Sequence, residues 1–193
     1  MTALEKRDKI IKDLFKPAFK QAGFTVSGTT FTKKEKDFWK IFNIQSSTNN
    51  SEYSVGVYLN IGFLFPVGFE LREERLPLKP KEYDCQFRIR TDALIGRNQD
   101  YNINDDTEKL LADDLQKYIL PFFDRYKHIT DCLELKKDVP TSWTDCRPYI
   151  GLTLIKNGET EKGNEIINSF ILQTTNTWAN EIDNYRQELM AQK

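Results

Sequence analysis

The sequence predicts an α+β fold: an N-terminal helix, an antiparallel sheet of about five strands, and a helical C-terminal half. Three observations carry this. Near the N-terminus, Leu4, Ile11, Phe15, Ala18 and Ala22 recur at helical spacing, with Ile10, Leu14 and Phe19 widening the stripe. From 53 to 63 every odd position is apolar (Tyr53, Val55, Val57, Leu59, Ile61, Phe63), as in a long strand with one buried face. After Gly96 the apolar spacing becomes helical.

The elements follow in order. The first helix spans about 4–22. Pro17 should kink it, because proline has no N–H for the Asp13 carbonyl, and Gly23 is suited to a left-handed cap. Ser27-Gly28 marks a short hairpin between 24–26 and 29–33. An aromatic and β-branched strand follows at 38–47, then a turn at 49–52 and the long strand 53–63. The connection 65–84 contains Pro66, Pro77 and Pro80 and is long for a compact domain; 70–75 is expected to form one helical turn. Residues 85–91 return to strand character.

Asp105 through Glu108 reads as a capping box opening a helix with the stripe Leu111, Leu115, Tyr118, Ile119, Phe122 and Tyr126. Pro121 should bend that helix or end it early. Shorter helices are expected at about 129–136, from Pro148 to Asn157-Gly158, at 162–172 and at 177–190. This divides the chain into an α+β domain over 1–128 and a helical extension or subdomain packed on it over 129–193.

The chain has 193 residues, with 39% hydrophobic and 30% charged residues; 13 Phe, 8 Tyr and 3 Trp supply a large core and exclude a disordered chain. No apolar run approaches the roughly 18–20 residues of a membrane-spanning helix, and the N-terminus is too charged for a signal peptide. A cytoplasmic location without membrane contact is expected. Cys85, Cys132 and Cys146 fit buried free thiols. A net charge of -1 gives no whole-protein argument for nucleic acid, and acids interrupt the basic run near the N-terminus.

The usual chemistry is missing. One histidine, His128, and three scattered cysteines form no metal set, so neither metal nor cofactor is expected. No glycine-rich phosphate loop, serine elbow or HExxH occurs. Asp84 and Asp92, bracketing the arginine strand, are the one carboxylate pair to watch. These absences leave open whether the chain is an enzyme.

One constellation remains. If the odd positions of 53–63 face the core, Tyr58 and Asn60 face away, beside Gly56 and Gly62. By the same parity Phe42 and Ile44 point inward, and Trp39, Asn43 and Gln45 point outward. On the later strand Phe87 and Ile89 point inward, and Arg88 and Arg90 outward. In one sheet, Arg88, Arg90, Trp39, Tyr58, Gln45, Asn43 and Asn60 would share a face able to hold a carboxylate or phosphate. Against this stands an ordinary solvated face, its arginines paired with Asp84, Asp92 or Glu82; the C-terminal helices covering the face is a third option.

The run from Leu14-Phe15-Lys16-Pro17 to Gly23-Phe24, then Phe31-Thr32-Lys33-Lys34, Trp39 through Ser47, and Tyr83 through Arg90 resembles the bacterial domain-of-unknown-function family 4304 over about 5–125. Departures are Thr91-Asp92-Ala93-Leu94, where a glycine is expected, and Tyr101-Asn102, where paired tryptophans are common. The resemblance implies a small cytoplasmic bacterial α+β domain, with no activity, cofactor or catalytic set.

Two functions are therefore expected. The first is a non-enzymatic binding module for a protein partner, with an immunity or antitoxin-like role its most concrete form. The alternative is an enzyme or small-ligand protein that holds an anionic metabolite through Arg88 and Arg90.

Overall fold

The structure is a computed structural model that describes residues 1–48, 50–51, 54–96, 101–104, 106–140, 144–174 and 177–192. Its first helix, α1, runs through Ala3–Ile10, a π turn at Ile11–Phe15, and Lys16–Gln21. Thr2 and Glu5 cap its start reciprocally. Pro17 does not end it. The wider π turn bonds the Lys16 N–H to the Ile11 carbonyl, so the helix passes the residue that lacks a donor. Gly23, at φ +85°, closes the helix as expected.

The sheet is built from β1 (Thr25–Ser27), β2 (Thr30–Lys34), β3 (Trp39–Ser46), β4 (Gly56–Leu64), β5 (Phe87–Arg90) and the short β6 (Tyr101–Asn102). Strands β1 to β5 lie side by side in chain order, all antiparallel, and β6 pairs with the start of β4. The long strand begins at Gly56, later than the pattern predicts; Tyr53, Asn49 and Glu52 lie outside the described residues. Between β4 and β5 a flap carries the short helix α2 (Val67–Glu70) and a tight turn at Glu82–Asp84. A further helix, α3 (Thr91–Ile95), starts directly after β5 and ends at Gly96.

The next helix, α4, spans Thr107–Asp114, a π turn at Leu115–Ile119, and Leu120–Arg125. Asp105 lies outside the described residues. The Asn104 side chain accepts from Asp106 and Thr107 N–H groups, while Thr107 accepts from Asn104. Pro121 is passed as Pro17 is, with Leu120 bonded to the Leu115 carbonyl across a π turn. A 3₁₀ segment (Ile129–Glu134) leads into α5 (Leu135–Asp138), and α6 (Arg147–Lys156), α7 (Thr160–Ile171) and α8 (Thr177–Ala191) follow.

Helices α1 and α4 cover one sheet face. Phe19 meets Phe24, Phe31 and Phe42 at 4.6–4.9 Å between ring centres, and Phe63 meets Phe122, Phe123 and Tyr126 at 5.1–6.0 Å. The inward residues Phe42, Ile44, Val57, Leu59, Ile61, Phe63, Phe87 and Ile89 all belong to this core, as the parity predicts. Helix α6 is buried all round, and Tyr149 stacks on Phe65 at the end of β4.

The second face is covered in part, by the flap rather than by the C-terminal helices. Ile41 and Leu64 form a small second core with Phe69 and Cys85, against which Trp39 and Leu76 pack. The flap is tied to the helices at Glu70, which accepts from Lys156 and from the Tyr185 hydroxyl at 3.2 Å.

Candidate functional site

The register places the outward residues in rows across the strands. Thr30, Asn43, Asn60 and Arg90 lie side by side on β2, β3, β4 and β5. Gln45 and Tyr58 form the next row in one direction; Thr32, Ile41, Gly62 and Arg88 form the next in the other. The flap covers the Ile41–Gly62 part of that last row. Gly62 permits this: a Cβ there would stand 2.5 Å from Cys85 Sγ. The space at Gly62 is thus filled by the chain itself, as is that at Gly56, beside Ser47 and Asn102.

Below the flap edge the row Thr30–Asn43–Asn60–Arg90 meets a cleft of about 620 Å³. Gln45, Asn60, Glu82, Gln86, Arg88 and Arg90 contribute to its lining. Asn60 Nδ2 donates to Gln45 Oε1 at 3.1 Å. Asn43 Nδ2 donates to Thr30 Oγ1 at 3.1 Å, and Lys81 Nζ reaches the same oxygen at 3.2 Å. The Arg90 guanidinium lies 4.2 Å from the centre of the Tyr58 ring.

Arg88 and Arg90 are exposed, and among the described residues neither has a carboxylate within ion-pair distance. Asp84 instead accepts from the Lys81 N–H at 2.7 Å, and Asp92 from the Ala93 N–H at 2.8 Å. Two cations two residues apart on one strand can fork an oxyanion. Cys85 lines the cleft, but burial pushes its thiol up, with Asp84 and Glu82 adding to the effect. A thiol held neutral is a poor nucleophile.

Six of the seven outward residues therefore gather in adjacent rows: Arg88, Arg90, Tyr58, Gln45, Asn43 and Asn60. Trp39 lies at the other end of the face, half-buried against the second core, with Lys34 Nζ 5.4 Å above its ring. Gln86 shares the outward parity of Arg88 and Arg90, and Glu82 is among the acids weighed beside them; Lys81 escapes sequence reasoning. Its place on Thr30 depends on how the flap folds back, and no periodicity reports that.

A family model described as a domain of unknown function, DUF4304, matches residues 15–125. The chain belongs to this family. The DUF4304 region holds the entire sheet, the flap, the arginine strand and helix α4. It leaves α5 to α8 outside, and with them Thr144, which borders the cleft. No curated protein and no solved structure matches the chain. Among the described residues no helix is long and apolar enough to cross a membrane, and no three metal-ligating side chains converge.

Proposed function

We propose that this DUF4304 protein is a non-enzymatic binding module that receives an anionic group of a partner protein on its arginine face. The observation that carries the reading is the pair Arg88 and Arg90, exposed on one face, with no carboxylate among the described residues within ion-pair distance. Arg88 and Arg90 would fork the anion; Asn43, Gln45 and Asn60 would pair with the partner's polar groups, and Tyr58 would hold Arg90 in place. Trp39 would contribute contact area at the far end. An immunity or antitoxin-like inhibitor is the most concrete form, since such a protein needs no catalytic group. Three free, buried thiols support work in a reducing cytoplasm.

A second reading is favoured by the cleft itself. Its volume of about 620 Å³ falls within the usual range for small-molecule sites, so an anionic metabolite held by the same arginines is the alternative. Nucleic acid fits less well. Lys40 is 2% exposed and bound to Glu35 at 2.6 Å, and Lys33 donates to the Ala22 carbonyl.

The test is capture of a partner from the native cytoplasm by the wild-type protein and by the double variant Arg88→Ala, Arg90→Ala. Loss of the partner in the variant, with an unchanged melting temperature, supports the reading; equal recovery removes the face. Calorimetry with citrate and inorganic phosphate, at millimolar levels, separates the alternatives. Saturable heat that vanishes in the variant favours the metabolite site.

A further inference from the structure

Resting on that reading, we infer that the site is longer than the arginine cleft: a groove crossing the sheet, shaped for an extended acidic peptide segment of the partner. A second cleft, of about 300 Å³, opens on the same face at the β1–β2 end. Ser27, Thr30, Trp39, Lys79 and Lys81 contribute to its lining. Thr30 begins the row that continues through Asn43 and Asn60 to Arg90; Thr30 and Asn60 are buried and lie on the floors of the two clefts, with the half-buried Asn43 between them. Lys81 stands at one end of the row, on Thr30 Oγ1, and Arg90 at the other.

The dimensions specify the occupant. From β2 to β5 is three strand spacings, about 14 Å. An extended peptide covers that span in about four residues at ~3.4 Å each. Carboxylates about four residues apart would therefore meet Lys79 and Lys81 at one end and Arg88 and Arg90 at the other. Charge agrees: among the described lining residues Glu82 is the acid, against these four cations. The half-buried Asn43 and exposed Gln45 amides provide donors and acceptors for a peptide backbone, while Asn60 is buried beneath them on Gln45. A nucleic acid strand would instead need open rings for stacking. Tyr58 is covered by Arg90 and Trp39 by Lys34.

Fluorescence anisotropy tests this with three labelled probes: octaglutamate, diglutamate and oligothymidylate. Octaglutamate is expected to bind the wild type. Lys79→Ala with Lys81→Ala should weaken it about tenfold, as should Arg88→Ala with Arg90→Ala, the scale of losing one or two charge-assisted hydrogen bonds. Diglutamate should bind more weakly and lose affinity with only one of the two pairs. Unchanged octaglutamate affinity in the lysine pair, beside a loss in the arginine pair, sinks the groove and leaves the arginine face standing. No loss in either pair, or no binding by the wild type, removes both. Tighter binding of oligothymidylate overturns the peptide assignment. If Lys81→Ala lowers the melting temperature, Lys79→Glu alone, on an exposed side chain, gives the same decision: weaker octaglutamate binding supports the groove and unchanged binding rejects it.

Discussion

Gly62 decides how close the flap comes to the sheet. The 2.5 Å gap between a Cβ at this position and Cys85 Sγ leaves no room for alanine without moving the flap. Gly62→Ala is expected to cost about 1–3 kcal/mol, the usual range for overpacking, and differential scanning calorimetry measures it. Cys85→Ala in the same chain should recover part of the loss, because it removes the Sγ. A second residue-scale prediction concerns alkali. Burial raises the thiols of Cys85, Cys132 and Cys146 above their ordinary value of 9.0. Above that pH the unfolded chain loses these protons while the folded chain keeps them. Stability is therefore full below about pH 9 and falls as pH rises, by up to ~1.4 kcal/mol per thiol per pH unit. Urea melts from pH 8 to 10.5 read this, and a flat profile above pH 9 refutes it. At this scale the inward and outward sets of β3, β4 and β5 were legible because the strand period is two. The role of Gly62 was not. A glycine in a strand announces space and does not say what fills it.

At the scale of elements the flap matters most. Its Leu71, Arg72, Glu73 and Glu74 N–H groups all bond to carbonyls within residues 67–70, and Phe69 anchors it to the second core. Although the stretch carries three prolines and a run of charges, this local bonding favours a packed flap with an exposed turn. Hydrogen exchange is expected to show residues 71–74 protected, though less than Val57, Leu59 and Ile61. Glu70→Ala, which cuts the ties to Lys156 and Tyr185, should speed exchange in 71–74 about threefold to tenfold and leave β4 unchanged. Equal rates in the variant would mean that the tie holds nothing. Long, periodic elements were readable in the sequence. Helix α3 and strand β6 were not: α3 follows β5 without a connecting loop, and β6 has two residues and so no period. The π turns before Pro17 and Pro121 escaped for another reason. Proline signals a missing donor, but a helix can also absorb that loss by widening one turn.

Across the whole molecule, one buried cluster runs from Ala3 to Ile182, so α6, α7 and α8 share a core with the sheet. Helices α6 and α7 touch through backbone: a Cβ on Gly163 would lie 2.6 Å from the Gly151 carbonyl oxygen. Gly163→Ala should cost about 2–3 kcal/mol, because rigid backbone must part. A fragment of residues 1–128 would bare Phe65 where Tyr149 now stacks. It is expected to unfold without a cooperative thermal transition; a sharp transition would instead establish 129–193 as a dispensable extension. The strands-then-helices order revealed the fold class, but not which element covers which face, since that depends on contacts distant in sequence. The placement of Trp39 has a practical outcome. This indole packs on the second core, lies under an ammonium group and borders the smaller cleft. Its emission, isolated as the difference between wild type and Trp39→Phe, is a built-in optical gauge: a segment settling there strips water from the ring and shifts the spectrum to the blue, with no attached dye.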